Sequence, residues 1–185
     1  MEMLKRNFAI DIRSGSVNEE SRTVDLSFSS EEPYKRYDRQ LGEYYEVLSH
    51  ESDDIDMSRV NDGAPVLVNH NPDDHVGVVE HAEVGEDKRG YAKVRFGRSA
   101  RAIEIFNDVL DGIRKNVSVG YKWLKSEKVG EAEDGLPIVR ASFIPFEISL
   151  ASIPADNSVG VGRTEEIKEE KKDEPLTVIF IEGEL

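Results

Sequence analysis

"KNVSVGY", Lys115 to Tyr121, alternates apolar and polar side chains at the period of an extended strand. Val117, Val119 and Tyr121 share one face; Asn116, Ser118 and Gly120 share the other. A lone hydroxyl beside a glycine, on a strand with one apolar face, has two readings. Ser118 is an ordinary strand serine, or it is a nucleophile that needs a base.

Working outward, the stretch sits between one clear helix and a run of further strands. From Arg101 to Ile113, Ala102, Ile105, Phe106, Val109, Leu110 and Ile113 recur at three- and four-residue steps, which predicts an amphipathic helix. Ser99 is its expected N-cap and Gly112 its stop. Downstream, "NVSVGYKWLKSEKV" and "IVRASFIPFEISLASIP" read as strands around the polar loop "GEAEDGLP". Upstream, "FAIDIR" (Phe8 to Arg13) and "TVDLSFS" (Thr23 to Ser29) flank a polar turn, which predicts a hairpin. Tyr44 to Leu48 fits a short strand or a helical turn, and "DDIDMSRVNDG" a loop or a helical turn. "APVLVNH" reads as a strand opened by Pro65. Val76 to Glu83 and Gly90 to Phe96 read as two more. Many short strands around one helix predict a mainly β chain with peripheral helices. An antiparallel β-barrel or sandwich fits this pattern and a doubly wound sheet does not. The chain shows no internal repeat.

The composition bounds the function. There are 185 residues, enough for one well-cored domain, and a net charge of −14. That charge repels a phosphate backbone, so no nucleic-acid partner is expected, and it disfavours anionic membranes. No apolar run approaches the length of a spanning helix, and "MEMLKRNFAIDIR" lacks the apolar core of a signal peptide; a soluble cytoplasmic protein is the expectation. With no cysteine, thiolate catalysis, disulfides and Cys-type zinc sites are excluded. The composition shifts at about Arg163. Residues 1–162 form the expected folded domain, and 163–185 a charged tail, "TEEIKEEKKDE" followed by the apolar "LTVIFI". That end is read as a mobile tail, an added sheet-edge strand or a partner-binding peptide.

Three places concentrate reactive groups. His70 ends an apolar strand ahead of an expected turn at Asn71-Pro72-Asp73, a rigid mount for a general base and equally a place for a strand-capping histidine. His70, Asp73, Asp74 and His75 lie close in sequence but straddle that turn without ligand periodicity, so no metal or other cofactor is expected. Ser118 lacks the Gly-x-Ser-x-Gly elbow, because Asn116 stands at the first glycine and strand continues after it. This argues against an α/β-hydrolase. Gly120, next on the same face, is read as clearing room for a substrate chain. Glu147 shares a strand face with Ser149 and Ala151, where its carboxylate can orient an imidazole or simply face solvent.

The blocks "APVLVNHNPDDHVGVVE", "VRFGRSARAIEIFNDVLDGIRKNVSVGY" and "IPFEISLASIPADNSVGVGR", with "SFSSEEP" (Ser27 to Pro33) before them, resemble the prohead (capsid maturation) serine proteases of tailed bacteriophages. The resemblance covers most of residues 8–163. It implies a β-barrel of the herpesvirus assembly-protease type, ringed by helices. It also implies His70 as general base, Ser118 as nucleophile and Glu147 as the third, acidic member. The substrates it implies are the major capsid protein, scaffold segments and the protease itself, cut inside the assembling procapsid in the host cytoplasm, or in the bacterial cytoplasm if prophage-encoded. Dimerisation of the related herpesvirus enzymes extends the expectation to a homodimer. A catalytically inactive scaffold or capsid-assembly protein on the same fold is the alternative. The oxyanion hole is not readable; Ile153 to Asn157, Arg98, Arg101 and Arg114 are conjectural contributors.

Overall fold

The computed structural model describes residues 4–9, 17–152 and 179–181. In chain order the elements are β1 (Leu4–Ala9), β2 (Val17–Asn18), β3 (Thr23–Ser30), β4 (Tyr34–Asp38), β5 (Gly42–Leu48) and α1 (Ser58–Asn61). Then come β6 (Pro65–Val68), β7 (Asn71–Val84), β8 (Arg89–Phe96), α2 (Ala100–Leu110), β9 (Asn116–Glu131), β10 (Pro137–Ala151) and β11 (Ile179–Ile181). The chain is mainly β, as its alternating pattern predicts. No helix among the described residues is long and apolar enough to cross a membrane.

The long β9–β10 hairpin organises the sheet. Its pairing runs from Asn116 opposite Ala151 to Glu131 opposite Pro137. Three register shifts interrupt it, between Ile138 and Val139, between Ser142 and Phe143, and between Pro145 and Glu147. Each bulge bends the strand, and Pro145, with no N–H to give the ladder, is tolerated at one of them. The bent β10 meets two different neighbours on its far side. Its first half pairs in parallel with β5 (Ile138 opposite Tyr45), and its last turns pair in parallel with β6 (Ile148 opposite Val66). A parallel pair cannot be joined by a tight hairpin, and the chain from β6 through β7, β8, α2 and β9 supplies the long return to β10.

These two pairings correct the antiparallel expectation: the sheet is mixed. It is also open. The ladder runs β1-β9-β10-β6-β7-β8-β3-β2, and no backbone ladder joins its ends among the described residues, so no hydrogen-bonded barrel closes. The expected hairpin between Phe8–Arg13 and Thr23–Ser29 does not form. β3 takes the two-residue β2 as its hairpin partner, and β1 crosses to β9, with Asn7 opposite Ser118. Alternation defines a strand but not its partner, which explains the error.

The helix follows its pattern. Ser99 Oγ accepts from the Ala102 N–H at 3.1 Å, and Gly112 leaves the helix with φ +67°. Ala102, Ile105, Phe106 and Val109 are buried against the sheet, while Ile113, past the last turn, is exposed. On β9, Val117, Val119 and Tyr121 all face the core. The domain boundary expected near Arg163 lies outside the described residues. Of the apolar end, Ile179–Ile181 adds as a strand to β9 opposite Ser126–Lys128.

Candidate active site

His70 reaches its position through a tight turn. Val68 of β6 pairs with Asn71 of β7, leaving Asn69 and His70 as a two-residue loop. Both have positive φ, +52° and +58°, the requirement of a type I′ hairpin turn. Asn and His are among the few non-glycine residues found there with any frequency. The turn expected at Asn71-Pro72-Asp73 is therefore displaced by two residues, and those three residues open β7 instead.

The end of β10 clamps the turn. The Asn69 N–H donates to Leu150 O (3.0 Å) and the His70 N–H to Ser149 Oγ (2.8 Å). The Asn69 side chain accepts from the Ser152 N–H at 2.8 Å through Oδ1 and donates to Ser152 Oγ at 3.2 Å. Arg114, just after α2, donates to Ser152 Oγ (3.1 Å) and to Asp108 (2.9 Å).

Register does the rest. Ser118 stands opposite Ser149, and Gly120 opposite Glu147. Residues opposite one another in a ladder point to the same side, so Glu147 and Ser149, two apart on β10, share the face that carries Gly120 and Ser118. A methyl on Gly120 would overlap Glu147 Oε1 and lie 2.9 Å from Cδ and Cγ. Gly120 thus clears space for this carboxylate, which corrects its reading as room for a substrate.

The three expected site residues come together. His70 Nδ1 lies 2.5 Å from Glu147 Oε1, and His70 Nε2 lies 2.6 Å from Ser118 Oγ. A carboxylate only accepts, so Nδ1 carries the imidazole proton; in the neutral ring Nε2 then accepts from the serine hydroxyl. The His70 side chain is 10% exposed and that of Glu147 4%; Ser118 is wholly buried. Glu147 Oε2 makes no hydrogen bond. The arrangement can move a proton from Ser118 to His70 and stabilise the imidazolium that results.

Asp74 and His75, close to His70 in sequence, have partners of their own. Asp74 is taken by both arms of Arg101 (2.9 and 3.1 Å) and His75 Nε2 by Gly77 O (2.6 Å). No cluster of three or more His, Asp or Glu among the described residues is arranged to hold a metal. Arg101 sits on the exposed face of α2, and Ile153 to Asn157 lie outside the described residues. Sequence reading missed the clamp. Ser149 was visible only as a face-mate of Glu147, and Asn69 only as an Asn preceding a histidine.

The fold and site together define a mainly β protein with a hydrogen-bonded Ser–His–Glu line between a hairpin turn and a bent strand pair. No family model matches the chain, and no solved structure matches it. The chain is 44% identical over 144 residues to the major capsid protein of Halomonas phage phiHAP-1. That match covers 75% of this chain and 23% of the phage protein, so the chain spans under a quarter of its relative. By that identity the chain is related to a stretch of a phage capsid protein.

Proposed function

We propose that the chain is a serine endopeptidase of capsid maturation, with Ser118 as nucleophile, His70 as general base and Glu147 as the residue that orients and charges-balances His70. The observation that carries this reading is the continuous line Ser118–His70–Glu147, with links of 2.6 and 2.5 Å. Ser118 Oγ attacks the scissile carbonyl carbon as its proton passes to His70 Nε2. His70 then gives that proton to the leaving amine. Water enters, His70 takes a proton from it, and collapse of the second tetrahedral intermediate returns the proton to Ser118 and releases the acid. Because Ser118 is buried, local opening around the substrate precedes attack.

The relative supplies the setting. In it, a stretch like this chain belongs to a much longer protein named for the capsid. Substrates are accordingly capsid protein, scaffold segments and the chain itself, met inside the assembling procapsid in the host cell. Confinement or tethering there gives a high effective concentration and removes the need for tight intrinsic binding. Dimerisation belongs to the same proposal.

A second reading, an inactive capsid-assembly domain, draws on the burial of Ser118 and on the structural name of the relative. Co-expression with capsid protein separates the two. Under the protease reading, Ser118→Ala abolishes cleavage while the variant still folds and co-assembles. Cleavage that persists in the variant, or that never occurs with the unmodified chain, supports the inactive domain.

A further inference from the structure

Resting on the protease reading, we propose that Ser149 is a positioning residue for the general base: its hydroxyl holds the backbone of His70 in the left-handed conformation that aims the imidazole at Ser118. Two independent observations meet here. First, His70 has φ +58°, a conformation that side-chain-bearing residues seldom adopt without support. Second, Ser149 is wholly buried and its Oγ accepts the His70 N–H at 2.8 Å, directly at the strained residue.

The topology makes Ser149 more than a local partner. It stands opposite Ser118 across the β9–β10 ladder and two residues beyond Glu147. One short piece of β10 therefore fixes the base at two points, through its ring by Glu147 and through its backbone by Ser149. Without the hydroxyl, the His70 N–H loses its acceptor in a nearly dry site, and the turn is free to relax toward ordinary φ. Any such relaxation swings the ring away from Ser118, whose proton transfer tolerates little displacement.

The test uses the full chain and a fluorophosphonate probe, which forms a covalent bond to an activated serine with loss of fluoride. The unmodified chain takes the label and Ser118→Ala does not. Ser149→Ala stays folded with a modestly lowered melting temperature, and at a temperature well below that melt it labels about tenfold or more slowly. The His70 amide, measured by hydrogen exchange, loses its protection in the same variant. Ser149→Thr keeps an acceptor oxygen and labels within about threefold of the unmodified chain. If Ser149→Ala fails to fold, Asn69→Ala loosens the same clamp from the turn side and is expected to slow labelling likewise. Labelling of Ser149→Ala at the unmodified rate, with Ser118→Ala inert, overturns this inference and leaves the protease reading standing. An unmodified chain that takes no label, or a Ser118→Ala variant that does, overturns both.

Discussion

Two serine–histidine pairs lie within this sheet, and only one has the makings of a catalyst. Ser118 and His70 meet at 2.6 Å; Ser29 and His50 meet at 2.7 Å. Each ring points Nε2 at its serine. Glycine makes room at each: Gly120 for the Glu147 carboxylate, and Gly90 for Ser29 Oγ. The difference lies behind and around the ring. His70 Nδ1 faces the Glu147 carboxylate at 2.5 Å, whereas His50 Nδ1 donates to a neutral carbonyl, Leu48 O, at 2.9 Å. His70 sits on the hairpin turn at the end of β6, its side chain 10% exposed. His50 is buried, edge-on to Phe143 with ring centroids 5.5 Å apart. A serine–histidine hydrogen bond is thus a common way to satisfy two buried polar groups. On the proposed reading, a charge that stabilises the imidazolium is what separates a nucleophile from a strut.

The largest test of this contrast removes the charge. Glu147→Gln keeps the shape but offers an amide that can hold the ring in the wrong tautomer, and it lowers kcat by about 10³–10⁴-fold. Steady-state cleavage of a capsid-protein substrate checks this. A loss under tenfold would make Glu147 no more important than the Leu48 carbonyl is to His50.

The two glycines come next. In Gly120→Ala the new methyl displaces the Glu147 carboxylate and costs about 100-fold in kcat. In Gly90→Ala the methyl overlaps Ser29 Oγ and lies 2.7 Å from Phe28 Cζ, which costs about 1–3 kcal/mol of stability and leaves kcat unchanged. Urea unfolding and cleavage rates on both variants read the two effects separately. Equal losses of activity would erase the distinction between the pairs.

The smallest effect is in pH. Burial pushes the His50 imidazole below its ordinary value of 6.5. The Leu48 carbonyl and Glu31 oppose this shift, while Arg6 and Lys88 add to it. The unfolded chain therefore binds the proton first as pH falls. The His50 contribution to stability is complete above pH 6.5 and declines as pH drops through the window between that value and the lowered folded one. Thermal melts across this window, compared between the unmodified chain and His50→Gln, show a steeper acid-side loss in the unmodified chain. Parallel curves would mean that His50 is not held neutral by its burial.

A third buried polar group shows how far such networks serve structure alone. Glu46, wholly buried, accepts from Arg36 Nε (2.7 Å), the Tyr121 hydroxyl (2.5 Å) and Trp123 Nε1 (2.7 Å). Burial and the Glu46 carboxylate both push the Tyr121 hydroxyl far above its ordinary value, so it stays a donor. The cluster locks β4, β5 and β9 together, with Tyr121 three residues along from Ser118.

Much of this was legible in the sequence where the signal is local. The stripe and Ser99 cap place α2, and alternation places β9 and β10. Alternation also puts Ser118 and Gly120 on one face of β9, and Glu147 and Ser149 on one face of β10. What failed was non-local. Nothing in "FAIDIR" says that its first residues pair with β9 rather than β3, and nothing in β10 announces two parallel neighbours. The turn was misplaced because Pro72 and Asp73 are the stronger turn formers, while Asn69–His70 needs two positive φ values that no residue pattern demands. The meeting of His70, Ser118 and Glu147 was expected from family resemblance. The role of Gly120 could emerge only once the bulge at Phe146 had set Glu147 opposite it.

The most direct test of the central claim is to treat the folded full chain with a fluorophosphonate and locate the adduct by peptide mass spectrometry. The account predicts one modified serine, Ser118, with Ser29 untouched although its histidine is equally close. An adduct on Ser29, or none on Ser118, would contradict it.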